Sequence, residues 1–145
     1  MTKPKVLFLC TGNSARSQMA EAFLKKYASD KYEAHSAGLD PKGINPYTIR
    51  VMAEIGISLD GQHSKSLKEY LAKVHFQHFF TVCDDAEENC PQAFLMSAGR
   101  HDHWSFADPA AFEGSDEEKL AKFREVRDQI DQRIKNWLAE QGVTI

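Results

Sequence analysis

Lys5-Val6-Leu7-Phe8-Leu9-Cys10-Thr11-Gly12-Asn13-Ser14-Ala15-Arg16-Ser17 is the stretch whose reading decides the fold. Val6 to Leu9 form an apolar run of the length of a buried strand. Cys10 to Ser14 follow as a polar turn around Gly12. From Arg16 to Tyr27, the apolar residues Met19, Ala22, Phe23 and Tyr27 recur at helical spacing. The order is strand, loop, helix, and the loop has the form C-x5-R-S. Gly12 lets the backbone turn tightly and approach a ligand closely. Amides from Thr11, Gly12, Asn13, Ser14, Ala15, Arg16 and Ser17 can converge on an anion, and the helix start adds positive partial charge. Arg16 can donate two coplanar hydrogen bonds to such an anion. Cys10 then lies beneath a tetrahedral oxyanion as a nucleophile. The same field, with a hydrogen bond from Ser17, is expected to lower its pKa. Taken singly, Cys10 reads as a buried thiol and Arg16 as half of a surface ion pair. Their spacing between strand and helix favours the nucleophile.

Outward from this loop, Tyr32 to Ser36 reads as a second strand closed by Ala37-Gly38. Asn45 caps a helix with Pro46 at its first position. That helix carries Ile49, Met52, Ala53 and Ile55 as its apolar residues and ends at Gly56. Ser66 to Val74 reads as an amphipathic helix with Leu67, Tyr70, Leu71 and Val74 inward. Phe79 to Val82 reads as a buried strand running into Cys83, and Ala86 to Cys90 as one or two helical turns halted by Pro91. A strand is expected near His103-Trp104. A long final helix starts at Ser115 or Asp116, with Leu120, Phe123, Val126, Ile130, Ile134 and Trp137 as its buried stripe. Alternating strands and helices predict an α/β fold, a parallel sheet covered on both faces. Ligands of such sheets sit beyond the strands' carboxyl ends, which places Cys10 and Cys83 at one edge.

The 145 residues fit one domain, read here as residues 1–145. A net charge of −3, from 18 basic and 21 acidic residues, argues against nucleic acid as a general partner. No run is long and apolar enough to span a bilayer or to serve as a secretory signal. A cytoplasmic monomer that does not engage membranes is expected. Three cysteines argue against a disulfide framework and suit a reducing compartment. His101-Asp102-His103 lacks a further ligand, so a polar loop is expected there and no metal. Trp104 and Phe106 are candidates for the pocket wall, with core packing the plainer reading.

Val6 to Ser14 with Arg16-Ser17-Gln18-Met19-Ala20-Glu21, together with Ser36-Ala37-Gly38, Asn45-Pro46, Cys83, Cys90-Pro91 and Trp104 to Pro109, resembles the low-molecular-weight protein tyrosine phosphatase superfamily. Within it, the chain looks like the thioredoxin-coupled arsenate reductases. The resemblance covers almost the whole chain and implies a four-stranded parallel sheet. It gives Asp108 the role of general acid; the local alternative is an Asp-Pro turn. Related phosphatases place a tyrosine after this pair, whereas Ala110 and Ala111 stand here, which weakens the aryl-phosphatase alternative built on Cys10, Arg16 and Asp108. For the reductase, the resemblance implies a disulfide relay from Cys10 to Cys83 to Cys90, with thioredoxin as the final reductant. Across an intact helix, Cys83 and Cys90 would be separated by roughly 10 Å, but a disulfide needs Cα atoms within about 7 Å. The segment between them must therefore unwind. Some relatives carry a cysteine where Ala15 stands. No tightly bound cofactor is expected. The family often holds potassium, whose ligands would fall on Asn13, Glu21 and Ser36; Lys65, where an acidic ligand is usual, is expected to replace it.

Overall fold

The computed structural model describes residues 3–70, 73–91 and 99–145. Four strands, β1 (Lys5–Cys10), β2 (Glu33–Gly38), β3 (His78–Thr81) and β4 (Arg100–His103), form one sheet in the order β2-β1-β3-β4. All three pairings are parallel, and register places Leu7 beside Phe79 and Phe79 beside His101. The helices are α1 (Arg16–Ala28), α2 (Pro46–Ala53), α3 (Asp84–Asn89) and α4 (Asp116–Glu140). Because β1 lies between β2 and β3, the chain leaves β1 for one side and later returns on the other. This reversal opens a crevice at the carboxyl ends of β1 and β3, where Cys10 and Cys83 lie.

Val6 to Leu9 have no exposed surface, as expected of a central strand covered on both faces. On one face, Phe8, Phe80 and Trp104 stack, with 5.5 Å between the first pair of rings and 4.1 Å between the second. Trp137 of α4 meets Phe80 edge-on. Helix α1 is tied to α4 by the Tyr27 hydroxyl, which donates to Asp131. The opposite face carries Phe79 and His101, with rings 5.0 Å apart, and the Tyr70–Phe76 pair.

Asn45 caps α2 by accepting from the Tyr47 amide, and Pro46 follows as expected. Gly56 (φ +79°) stops the turn after α2, and the Ile57 amide closes on the Met52 carbonyl. Ser115 and Glu118 form a reciprocal capping box at the start of α4. The stripe from Leu120 to Trp137 is buried.

Two expectations need correction. Leu67–Glu69 is one 3-10 turn, not the start of a helix to Val74; Leu71 lies outside the described residues. A Ser66–Glu69 capping box and the pairing of Ser66 with Gly38 hold this stretch close to the sheet edge. Ile49 and Ile55 are 48% and 37% exposed, and Ala53 is exposed too. Helix α2 instead buries Thr48, Val51 and Met52. Eight residues make just over two turns, too few for the apolar pattern to choose between faces.

Candidate active site

The loop after β1 is built by its carbonyls. Those of Cys10, Thr11 and Gly12 accept from the amides of Leu39, Asp40 and Lys42, and that of Ser14 from Asn45. The Asn13 carbonyl takes the Gln18 side chain, and the Ser64 and Thr48 hydroxyls reinforce Gly12 and Ser14. In a trans peptide, N–H and C=O point in opposite directions. Committing the carbonyls to the scaffold therefore turns the following amides inward. The Asn13 amide shows this directly by donating to Cys10 Sγ at 3.2 Å. Gly38 makes room for the loop, since a Cβ there would lie 2.6 Å from the Thr11 carbonyl oxygen.

Asn13 is fully buried and left-handed, with φ +49°. Its Oδ1 accepts from the Lys65 backbone amide at 2.9 Å, which fixes the orientation of the side-chain amide. Its Nδ2 then donates to Ser17 Oγ at 2.8 Å. The Ser17 hydroxyl proton is left for Cys10 Sγ, 2.8 Å away. Burial nevertheless pushes the Cys10 thiol up, ahead of the Ser17 bond and the Arg16 charge that pull it down. The expected lowering is thus overturned, because desolvation disfavours the thiolate by more than these neighbours favour it.

Arg16 donates to the Phe106 carbonyl at 3.1 Å and lies 3.7 Å from Asp108 Oδ2. The other oxygen of Asp108 accepts from the Ala110 amide at 3.0 Å. The carboxylate therefore caps the Pro109–Ala111 turn and also faces Arg16. Cys10, Arg16, Cys83 and Asp108 line one cavity of about 1120 Å³, walled in part by Phe106. Trp104 belongs to the core stack instead.

Cys83 is buried, with Sγ 3.6 Å from the Thr11 hydroxyl, which donates to Asp85 Oδ2 at 2.6 Å. Cys83 and Cys90 are the residues flanking α3 at its two ends. Burial and then Glu87 push the Cys90 thiol up to about 11. No local sequence signal announces the Asp85–Thr11 bond, because it joins α3 to the loop after β1 across 74 residues.

The oxygens of Asn13, Glu21 and Ser36 are already engaged. Asn13 Oδ1 takes two donors, from Lys65 and Gln18. Ser36 donates to Glu21, and Lys25 pairs with Glu21's other oxygen. Buried Lys65 Nζ lies 3.6 Å from Glu21 Oε1. His101 and His103 are not a loop: they lie on β4 and reach α3.

The family model described as low molecular weight phosphotyrosine protein phosphatase matches residues 5–143. An arsenate reductase of Halalkalibacterium halodurans is 46% identical over 98% of this chain and 99% of its own. A solved structure described as an arsenate reductase in the phosphate binding state is 31% identical, with a TM-score of 0.77 over 94% of this chain and 98% of that one. The thioredoxin-dependent arsenate reductase of Corynebacterium glutamicum is 30% identical, with a TM-score of 0.70 over 95% of this chain and 61% of its own.

Proposed function

This chain belongs to the low molecular weight phosphotyrosine protein phosphatase family, and within that family we propose that it is an arsenate reductase that passes its oxidation to thioredoxin. One observation carries the reading: a second thiol, Cys83, lines the cavity of Cys10, and the third, Cys90, lies at the far end of the helix that starts after Cys83. A hydrolase has no use for that arrangement.

Arsenate enters with its oxygens on the loop amides and the Arg16 guanidinium. Cys10 Sγ attacks arsenic, an S–As bond forms, and one oxygen leaves as water with a proton delivered by Asp108. Cys83 attacks the Cys10 sulfur as a thiolate. The S–S bond forms, the S–As electron pair stays on arsenic, and arsenite departs reduced by two electrons. Cys90 next attacks the Cys83 sulfur and frees Cys10 as a thiolate. The thioredoxin dithiol reduces the Cys83–Cys90 disulfide and becomes a disulfide itself. Burial favours the thiol at Cys10, so its proton passes to an arsenate oxygen as the S–As bond forms. The Ser17 bond and the Arg16 charge favour that loss.

Lys65 supplies the positive charge that relatives take from potassium. Support comes from its burial beside Glu21 and from the hydrogen bond that its backbone N–H donates to Asn13 Oδ1. Added potassium should leave turnover unchanged, and a sharp rise would refute the replacement. Among the described residues, no helix is long and apolar enough to cross a membrane, and the relay suits a monomer in a reducing cytoplasm. Binding by Cys10, Arg16 and Asp108 is shared with phosphatases, so thioredoxin-coupled arsenate turnover and aryl phosphate hydrolysis should be measured together. Arsenate turnover should collapse in Cys83→Ser and Cys90→Ser. Arsenate turnover that survives unchanged in both variants would refute the relay, and aryl phosphate hydrolysis that tolerates both substitutions, with no arsenate turnover, would favour the phosphatase.

A further inference from the structure

We propose that His103 is a positioning residue for the relay: as an imidazolium it fastens α3 to the sheet, and loss of its proton frees the Cys83–Cys90 segment to close its disulfide. The proposal rests on the relay described above and adds a control on its last internal step.

The argument is one of proton counting. Thr81, buried on β3, has a single hydroxyl proton, and it donates to Glu87 Oε2, a carboxylate oxygen that can only accept. Thr81 Oγ1 must then accept from His103 Nδ1, 2.8 Å away. On the other side of the ring, Nε2 faces Asp84 Oδ1 at 2.9 Å, again an acceptor. Both ring nitrogens must donate, so the network is complete only when His103 carries two protons and a positive charge. The other groups around it are consistent with that charge. His101 Nε2 meets Glu87 Oε2 at 2.9 Å, the Ser105 hydroxyl donates to Asp84, and Asp102 accepts from the His103 amide. Hydrogen bonds from His103 and then Ser105, with a contribution from Arg16, hold the Asp84 carboxyl below its usual range. Burial pushes Glu87 up, but its bonds to Thr81 and His101 outweigh that and leave it lowered.

The helix so fastened is the one that must come apart. It has six residues, of which only Ala86 is buried. A helix this short does not hold itself together, so its anchors decide whether it stays wound. Isolated surface ion pairs contribute little. Here two carboxylates of α3 converge on one imidazole and one buried hydroxyl. A ring with one proton can donate from only one nitrogen, so loss of the second proton removes one of the two ring bonds. Winding of α3 is therefore favoured by the imidazolium, and disulfide closure by the neutral ring.

The test uses Cys10→Ser, which leaves Cys83 and Cys90 as the remaining two of the chain's three cysteines. The protein is equilibrated in glutathione redox buffers from acid to mildly alkaline pH, and the Cys83–Cys90 disulfide is quantified by mass spectrometry. After normalisation to glutathione, the closure constant should rise about tenfold from the acid to the alkaline end of the series, the worth of one charge-assisted hydrogen bond. Adding His103→Gln should abolish that rise and give the high value already in acid. His101→Gln, which spares both ring bonds of His103, should keep most of the rise. In the unsubstituted reduced protein, amide exchange protection of residues 84–89 should fall from acid to mildly alkaline pH, and His103→Gln should remove that dependence. An identical pH response with and without His103, or α3 protection indifferent to pH, overturns the proposal alone. A disulfide that never forms at any pH overturns the relay and this proposal with it.

Discussion

At Asn13 the Lys65 amide fixes which end of the side chain accepts, and from there the hydrogen bonds run in one direction to Cys10. Ser17 is thus a donor to the sulfur, opposing the burial that raises its pKa. Ser17→Ala should move the inflection of Cys10 alkylation to higher pH, measured with iodoacetamide in a Cys83→Ser, Cys90→Ser background; an unchanged or lower inflection would contradict the assigned polarity. Gly38 acts by leaving space. In Gly38→Ala, a Cβ 2.6 Å from the Thr11 carbonyl oxygen must displace the loop backbone. A displacement approaching 1 Å costs up to about a hundredfold in rate, so steady-state arsenate turnover should drop by about tenfold to a hundredfold. The loop's residue types and spacing were legible in the sequence because they are contiguous. The sign of the Cys10 shift was not, because burial is a property of everything packed around the loop.

At the scale of elements, patterns long enough to repeat were read correctly. Helix α4, 25 residues long, buries the stripe its sequence announces. Helix α2 is too short for that, and its orientation depends on a distant partner. Glu54, just past its end, accepts bidentate bonds from Arg124 of α4 and a further bond from Arg127. No local pattern encodes such pairings. The Arg124 bonds, followed by those of Arg127, hold the Glu54 carboxyl at about 2. Its folded pKa is lowered, so its contribution to stability is complete above the unfolded carboxylate range of about 4.3 and is lost as pH falls toward 2. Glu54→Gln should therefore lower the Tm at neutral pH, with the gap to the parent closing between about pH 4.3 and pH 2. A gap that stays constant across that window would show that Glu54 acts through something other than its charge. Helix α3 is the opposite case, an element held by its neighbours and required to let go.

For the molecule as a whole, strand order explains why one cavity serves two steps. The reversal between β1 and β3 brings the ends of both strands to the same crevice. A nucleophile after one strand and a resolving thiol after the other then lie together without any long excursion of the chain. Sequence alternation predicted the parallel sheet and the shared edge, and the family motifs supplied the relay. The contacts that fasten α3 to β4 were hidden, because His101 and His103 find their partners only once β4 pairs with β3. The most direct test of the relay is a single-turnover experiment without thioredoxin, with arsenite and disulfides quantified together. The parent should release one arsenite per chain and end with a Cys83–Cys90 disulfide. Cys90→Ser should also release one and stop with Cys10 bonded to Cys83, and Cys83→Ser should release none. Full release from Cys83→Ser, or a parent that turns over with all three thiols still free, would contradict the account.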